Sequence, residues 1–152
     1  MKPRIIKKSY CNNNTSKDSF TGEGPLKPIF NSIANEEVDE TARLLQGDPS
    51  LINTRDESHR TPLHAASAGG NPALTELLIN HGADLDATDS IGWTPLHVAT
   101  YHGNTQVMEL LIDKNCEINQ QNLDGWTPLQ LALSHGLYRQ AKLLRNRGGL
   151  VR

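Results

Sequence analysis

The sequence predicts an all-α solenoid of paired antiparallel helices with hairpin-like turns, four repeats including both caps. Three observations predict it. A ten-residue phrase recurs as "TPLHAASAGG" from Thr61, "TPLHVATYHG" from Thr94 and "TPLQLALSHG" from Thr127, each thirty-three residues after the last. The register extends past the phrase, with Gly70, Gly103 and Gly136 in one column and Leu77-Leu78, Leu110-Leu111 and Leu143-Leu144 in another. A turn element precedes each copy: Asp89 to Gly92, Asn122 to Gly125, and a weaker form from Asp56 to His59. Units repeated at this period cannot bury their apolar faces alone, so neighbours must stack.

Each element within a unit has a local cause. Thr61, Thr94 and Thr127 are good N-caps, and Pro62, Pro95 and Pro128 fill the first helical position, where no amide donor is needed. A short helix then runs to the shared glycine. A second helix follows, and in the first full copy Asn71 and Pro72 repeat the cap-then-proline device. Leu74, Leu77 and Leu78 fall on one face at helical spacing, with Leu77 and Leu110 expected to be buried between neighbours. Gly82 ends this helix in the left-handed conformation, and Asn115 and Gly148 stand in the same column.

These residues resemble the ankyrin repeat: Thr-Pro-Leu-His, Ala-Ala or Ala-Thr, Gly, Leu-Leu and Gly-Ala-Asp at a period of thirty-three. The match covers about residues 56–152. A degenerate first copy sets Phe30 under Leu63 and Leu44-Leu45 under Leu77-Leu78, with "GDPSLIN" replacing the usual turn. The expected organisation is a flexible basic and polar tail over residues 1–24 and an ankyrin-repeat domain over 25–152, with repeats near 25–55, 56–88, 89–121 and 122–152. At the far end Gln140 and Arg145 occupy the columns of Val107 and Ile112. They are expected to face outward as a polar cap, making the four units a self-standing solenoid.

Composition narrows the function. Only 36% of residues are hydrophobic and 5% aromatic, so the core must rest on Leu, Ile, Val and Ala. Residues 1–24 carry five bases and two acids, 25–136 five bases and fifteen acids, and 137–152 five bases and no acid. An acidic body repels phosphates and argues against a nucleic-acid groove along it. Aliphatic runs do not exceed triplets such as Leu77-Leu78-Ile79, too short for a membrane span. The opening "MKPRIIKK" lacks the apolar stretch of a secretory signal, so an intracellular protein of the cytoplasm or nucleus is expected. Cys11 and Cys116 are too few for a disulfide framework.

Chemistry finds little support. His64 and His97 belong to the repeat motif, where the resemblance implies that the imidazole holds adjoining turns; Gln130 replaces them in the last copy. His102 and His135 share a column and stand about 10 Å apart if one repeat separates them, too far to chelate one ion. There is no Gly-x-Ser-x-Gly elbow and no phosphate loop in a strand–helix setting. The expected protein is non-enzymatic, with no cofactor, no metal and no small-molecule substrate.

What the resemblance implies is a protein-binding module, an adaptor or regulatory subunit that is monomeric on its own. Ankyrin repeats meet partners at turn tips and inner helices, on columns free of fold duties. Those columns hold Arg60, Trp93 and Trp126 just before the Thr, Ile91 and Leu123 on the tips, and Tyr101, His102 and His135 at the ends of first helices. Trp93 and Trp126 fit a scaffold role as well as a contact role, since each can cover its hairpin. The alternative is a modification substrate, or a protein localised by its tail with the repeats as a stable body. The modification candidate is Asn119, since Leu111, Glu117 and Ile118 fill the setting that asparaginyl hydroxylases prefer in ankyrin repeats.

Overall fold

A computed structural model describes residues 27–151, so the expected tail over 1–24 lies outside the described residues. Among these, eight α-helices form four consecutive pairs, and no strand occurs. The pairs are α1 (Pro28–Ala34) with α2 (Val38–Gly47), α3 (Pro62–Gly69) with α4 (Pro72–Asn80), α5 (Pro95–Tyr101) with α6 (Thr105–Asp113), and α7 (Pro128–Ser134) with α8 (Tyr138–Asn146). First helices stack on first helices from α1 through α7, and α2, α4 and α6 stack in turn as a second layer. This is the solenoid of helix pairs that the repeat requires.

The caps form as the residue types dictate. The hydroxyls of Thr61, Thr94 and Thr127 accept from the amides of His64, His97 and Gln130, whose side chains reach back to the threonine amides. The side chain of Asn71 accepts from the amides of Ala73 and Leu74. Gly82 at φ 91°, Asn115 at 70° and Gly148 at 99° all take the left-handed conformation that ends a second helix. In the first unit a 3₁₀ turn over Pro49–Asn53, capped by Asp48, stands where later units carry their glycine turn.

The core runs through all four units, from Ile29, Ile33 and Leu45 through Leu63, Leu78, Leu96 and Leu111 to Leu129 and Leu144. Two sequence expectations need correction. Of each leucine pair, the second member is the deep one: Leu78 and Leu111 are fully buried, while Leu77 and Leu110 are only half-buried. Gln140 faces back rather than outward. It is buried, and its amide donates to the Gly103 carbonyl and the Thr105 hydroxyl of the preceding unit. Thr41, Leu74 and Val107, in the same column, are buried too, so polarity at this position does not mark an outward face.

Polar clamps join the turns. The Asn104 amide donates to the carbonyls of Ser67 at 2.7 Å and Ala68 at 3.2 Å. That of Asn71 donates to Glu36 Oε1. Among the described residues no helix is long and apolar enough to cross a membrane.

Candidate protein-binding site

The turn that opens each unit is closed by one side chain. Asp56, Asp89 and Asn122 each use Oδ1 to accept the amides two and four residues on: Ser58 and Arg60, Ile91 and Trp93, Asp124 and Trp126. A backbone bond back from Asp56 N to Arg60 O, Asp89 N to Trp93 O and Asn122 N to Trp126 O completes each hairpin. Successive tips are tied as well, by Ser90 N to Ser58 O at 3.0 Å and Leu123 N to Ile91 O at 3.2 Å. The tips therefore form one continuous row, and this row sets the positions of the candidate contact residues.

The second side-chain polar atom of each turn residue is treated differently. Asp56 Oδ2 takes the Arg60 guanidinium at 2.9 Å. Later units have tryptophan at the arginine's position. Burial then pushes the Asp89 carboxyl up to about 6, against the pull of the amides it accepts from. Asn122, the third version, avoids the charge altogether.

Behind the tips lies a second apolar cluster, separate from the main core. Trp93, Val98 and Leu131 are its buried centre, and Ala68, Ile91, Tyr101 and Trp126 pack round it half-buried. The Tyr101 ring stands edge-on to Trp93 at 5.4 Å, and to His102 and His135 at 5.3 Å each. Burial lowers the His102 pKa, favouring a neutral imidazole beside Tyr101. His135 is exposed, and its ring nitrogen Nδ1 lies 3.1 Å from the Leu131 carbonyl at the end of α7.

The eight residues singled out from the sequence thus divide. Leu123 is 77% exposed at a tip, His135 is exposed, and Ile91, Tyr101, His102 and Trp126 are half-buried around the cluster. Arg60 is half-buried in its ion pair with Asp56. Trp93 is 0% exposed and so is corrected from a contact residue to a support. Its ring is covered because Val98 of its own unit and Leu131 of the next close over it. Sequence reasoning missed Val98 and Leu131. The signal was a column growing from Ala65 to Val98 to Leu131, too large a change for a bare surface position.

Asn119 holds the far end of the chain. Its amide donates to the Gly148 carbonyl at 3.2 Å, and its oxygen accepts the Leu150 amide at 2.7 Å. Cys116 is half-buried, and its thiol is pushed up to about 12 by burial and by the charges of Asp86 and Glu117, which disfavours a thiolate nucleophile. Among the described residues no three His, Cys, Asp or Glu side chains are placed to hold a metal ion.

Stacked helix pairs, capping boxes and a row of linked hairpin tips define a repeat protein of the solenoid class. The family model for ankyrin repeats matches residues 30–122 and 76–150, so the chain belongs to the ankyrin-repeat family. It is 37% identical over 63 residues to bovine ankyrin repeat domain-containing protein 49, covering 41% of this chain and 26% of that one. It is 43% identical over 53 residues to human protein phosphatase 1 regulatory subunit 27, covering 35% of this chain and 34% of the subunit. A match to the serine/threonine-protein kinase VIK of Arabidopsis thaliana, 45% over 47 residues, takes in 31% of this chain and 11% of the kinase. The chain spans no more than about a third of the length of these relatives. Ankyrin repeats are generally protein-interaction modules and typically carry no enzymatic activity of their own.

Proposed function

We propose that this chain is a non-enzymatic adaptor or regulatory subunit, binding a protein partner through its tip row and the ends of its first helices. The supporting observation is the satellite cluster around Trp93. An apolar cluster outside the core, edged by half-buried Ile91, Tyr101 and Trp126 and continued by exposed Leu123, supplies rigid anchors of the kind that dominate interfaces. Similarity to a phosphatase regulatory subunit fits the same role. The protein works inside the cell as a monomer until it meets its partner.

Capture from a lysate with the wild type, Leu123→Asp and Tyr101→Ala tests the reading. Partners retained by the wild type should be lost from both variants with the helical circular dichroism unchanged. Amide shifts confined to the second-helix layer around Glu76, Glu109 and Lys142 on adding such a partner would place binding elsewhere. Asn119 remains the proposed modification site. Both its amide atoms are engaged, so hydroxylation requires residues 148–150 to lift first. Exposure to an asparaginyl hydroxylase without a mass gain of one oxygen on the Asn119 peptide removes that idea.

A further inference from the structure

The binding face has an electrostatic character of its own. Residues 89–136 hold five acids against one base, Lys114, but of these Asp89 is buried, and Glu109 and Asp113 lie on the second helix α6, Asp113 in an ion pair with Arg147. Asp124 is exposed beside Leu123, and Glu57 is exposed on the first tip of the row. An occupant suited to this face carries cationic side chains for the acids and aliphatic ones for the Ile91–Leu123–Trp126 edge.

The same chain contains such a segment. "KPRIIKK", Lys2 to Lys8, sets Ile5 and Ile6 between four bases, and no acid occurs before Asp18. The described chain also begins on the right side of the molecule. Lys27 Nζ donates to the Arg55 carbonyl at 2.7 Å, immediately before the loop that opens the tip row. Eighteen residues separate Lys8 from Lys27. A random-coil chain of that length spans about 24 Å on average and at most about 60 Å. With packed helices 8–10 Å apart, the third unit lies only about 20 Å from the first. A tether that matches its span gives a local concentration in the millimolar range, so even a weak contact is populated.

We infer that residues 2–8 dock on the tip row and first-helix ends of their own solenoid, at Ile91, Tyr101, Leu123, Asp124 and Trp126, as an intramolecular occupant. A partner must displace this segment, and the partner class able to do so is a basic protein segment with paired aliphatic residues. The inference rests on the reading of this face as the binding surface.

The full chain tests it by paramagnetic relaxation. A nitroxide on Cys11, placed at neutral pH where the half-buried Cys116 thiol stays protonated, reports where the segment lies. A Cys116→Ala version repeats the measurement with one thiol. At low salt the amides of Ile91, Leu123 and Trp126 should lose most of their intensity, while those of Glu76 and Glu109 on the second helices keep theirs. Raising the salt, or substituting Ile5→Asp with Ile6→Asp, should restore the signals. Broadening confined to the first unit, spread evenly over both layers, or unchanged in the double variant would overturn the inference. So would broadening of a nitrogen-15 chain without a label mixed with a labelled natural-abundance chain, since the segment would then sit on a second copy. Loss of tail docking leaves the binding-face reading standing; that reading fails only if a captured partner is mapped elsewhere.

Discussion

His64 Nε2 lies 2.7 Å from the carbonyl oxygen of Trp93, and through that bond the second unit holds the third. His97 repeats it, 2.9 Å from the Trp126 carbonyl. In both rings Nδ1 accepts the amide of the capping threonine, so Nε2 carries the only proton and donates it across the unit boundary. Accepting the threonine amide at Nδ1 therefore requires the neutral imidazole, whereas the bridge at Nε2 would be made by either form.

Acid should loosen the stack for that reason. Burial lowers both histidines from 6.5 to about 4, against the opposing effect of the carbonyl each one meets. A group whose pKa falls on folding contributes stability that is complete above its unfolded value and is lost as pH drops toward the folded one. The loss therefore develops between pH 6.5 and 4, to about 3 kcal/mol per histidine. Denaturant melts should show the midpoint falling across that window. In a His64→Gln, His97→Gln variant, which copies Gln130 of the last unit, most of the dependence should vanish. A wild type with a flat profile from pH 7 to 4.5 would contradict the buried neutral imidazoles.

Asp89 should act in the opposite sense. Its carboxyl is raised from 3.8 to about 6 chiefly by burial, so its contribution is complete below 3.8 and is lost as pH rises through 6. Asp89→Asn keeps the oxygen that accepts the amides of Ile91 and Trp93 and removes the buried charge. At pH 7.5 it should stabilise the protein by about 1 kcal/mol, less than the full shift implies because the new amide needs a partner. At pH 4 the gain should be gone. A variant less stable than wild type at both pH values would show that the carboxylate has a favourable partner.

The difference between Asp89 and Asp56 shows what a sequence of this kind discloses. Caps, helix starts and left-handed helix ends are legible because each depends on residues within a few positions of one another. Thr61 and His64, or Gly82 alone, determine them. Depth is less legible, because it depends on what the next unit places overhead. Trp93 and Trp126 are the same residue in the same column, yet Leu131 helps bury the first, while no further unit stacks on the second among the described residues. Gln140 reads as an outward cap only while polarity is equated with exposure. The carbonyl of Gly103 and the hydroxyl of Thr105 explain how an amide can be buried there. The candidate face is legible as columns, and its division into supports and accessible residues is not.

The leucine pairs give a direct test of depth. Leu78→Ala and Leu111→Ala remove fully buried side chains and should each cost about 2–5 kcal/mol. Leu77→Ala and Leu110→Ala remove half-buried ones and should cost about 1 kcal/mol. Urea unfolding of the four variants distinguishes them. Equal costs within each pair would mean that the second-helix layer packs in a different rotation about its axis.

Gly92 and Gly125 test the row of linked tips. Both lie in the same column, and both have positive φ, 80° and 83°. Alanine at either must accept a left-handed backbone, at about 1–2 kcal/mol. Their surroundings differ. A methyl group at Gly92 would sit 2.6 Å from the backbone nitrogen of Leu123, whereas one at Gly125 meets nothing within 4 Å. The obstruction at Gly92 is backbone that is itself bonded to the Ile91 carbonyl, so it cannot rotate away as a flexible side chain would. Gly92→Ala should therefore cost at least about 1 kcal/mol more than Gly125→Ala. It should also expose the Leu123 amide to hydrogen exchange, as that amide loses its acceptor. Gly125→Ala should leave the Leu123 amide protected. If both variants are destabilised equally and that amide exchanges at the same rate in each, the two tips are not in contact and the row is not continuous.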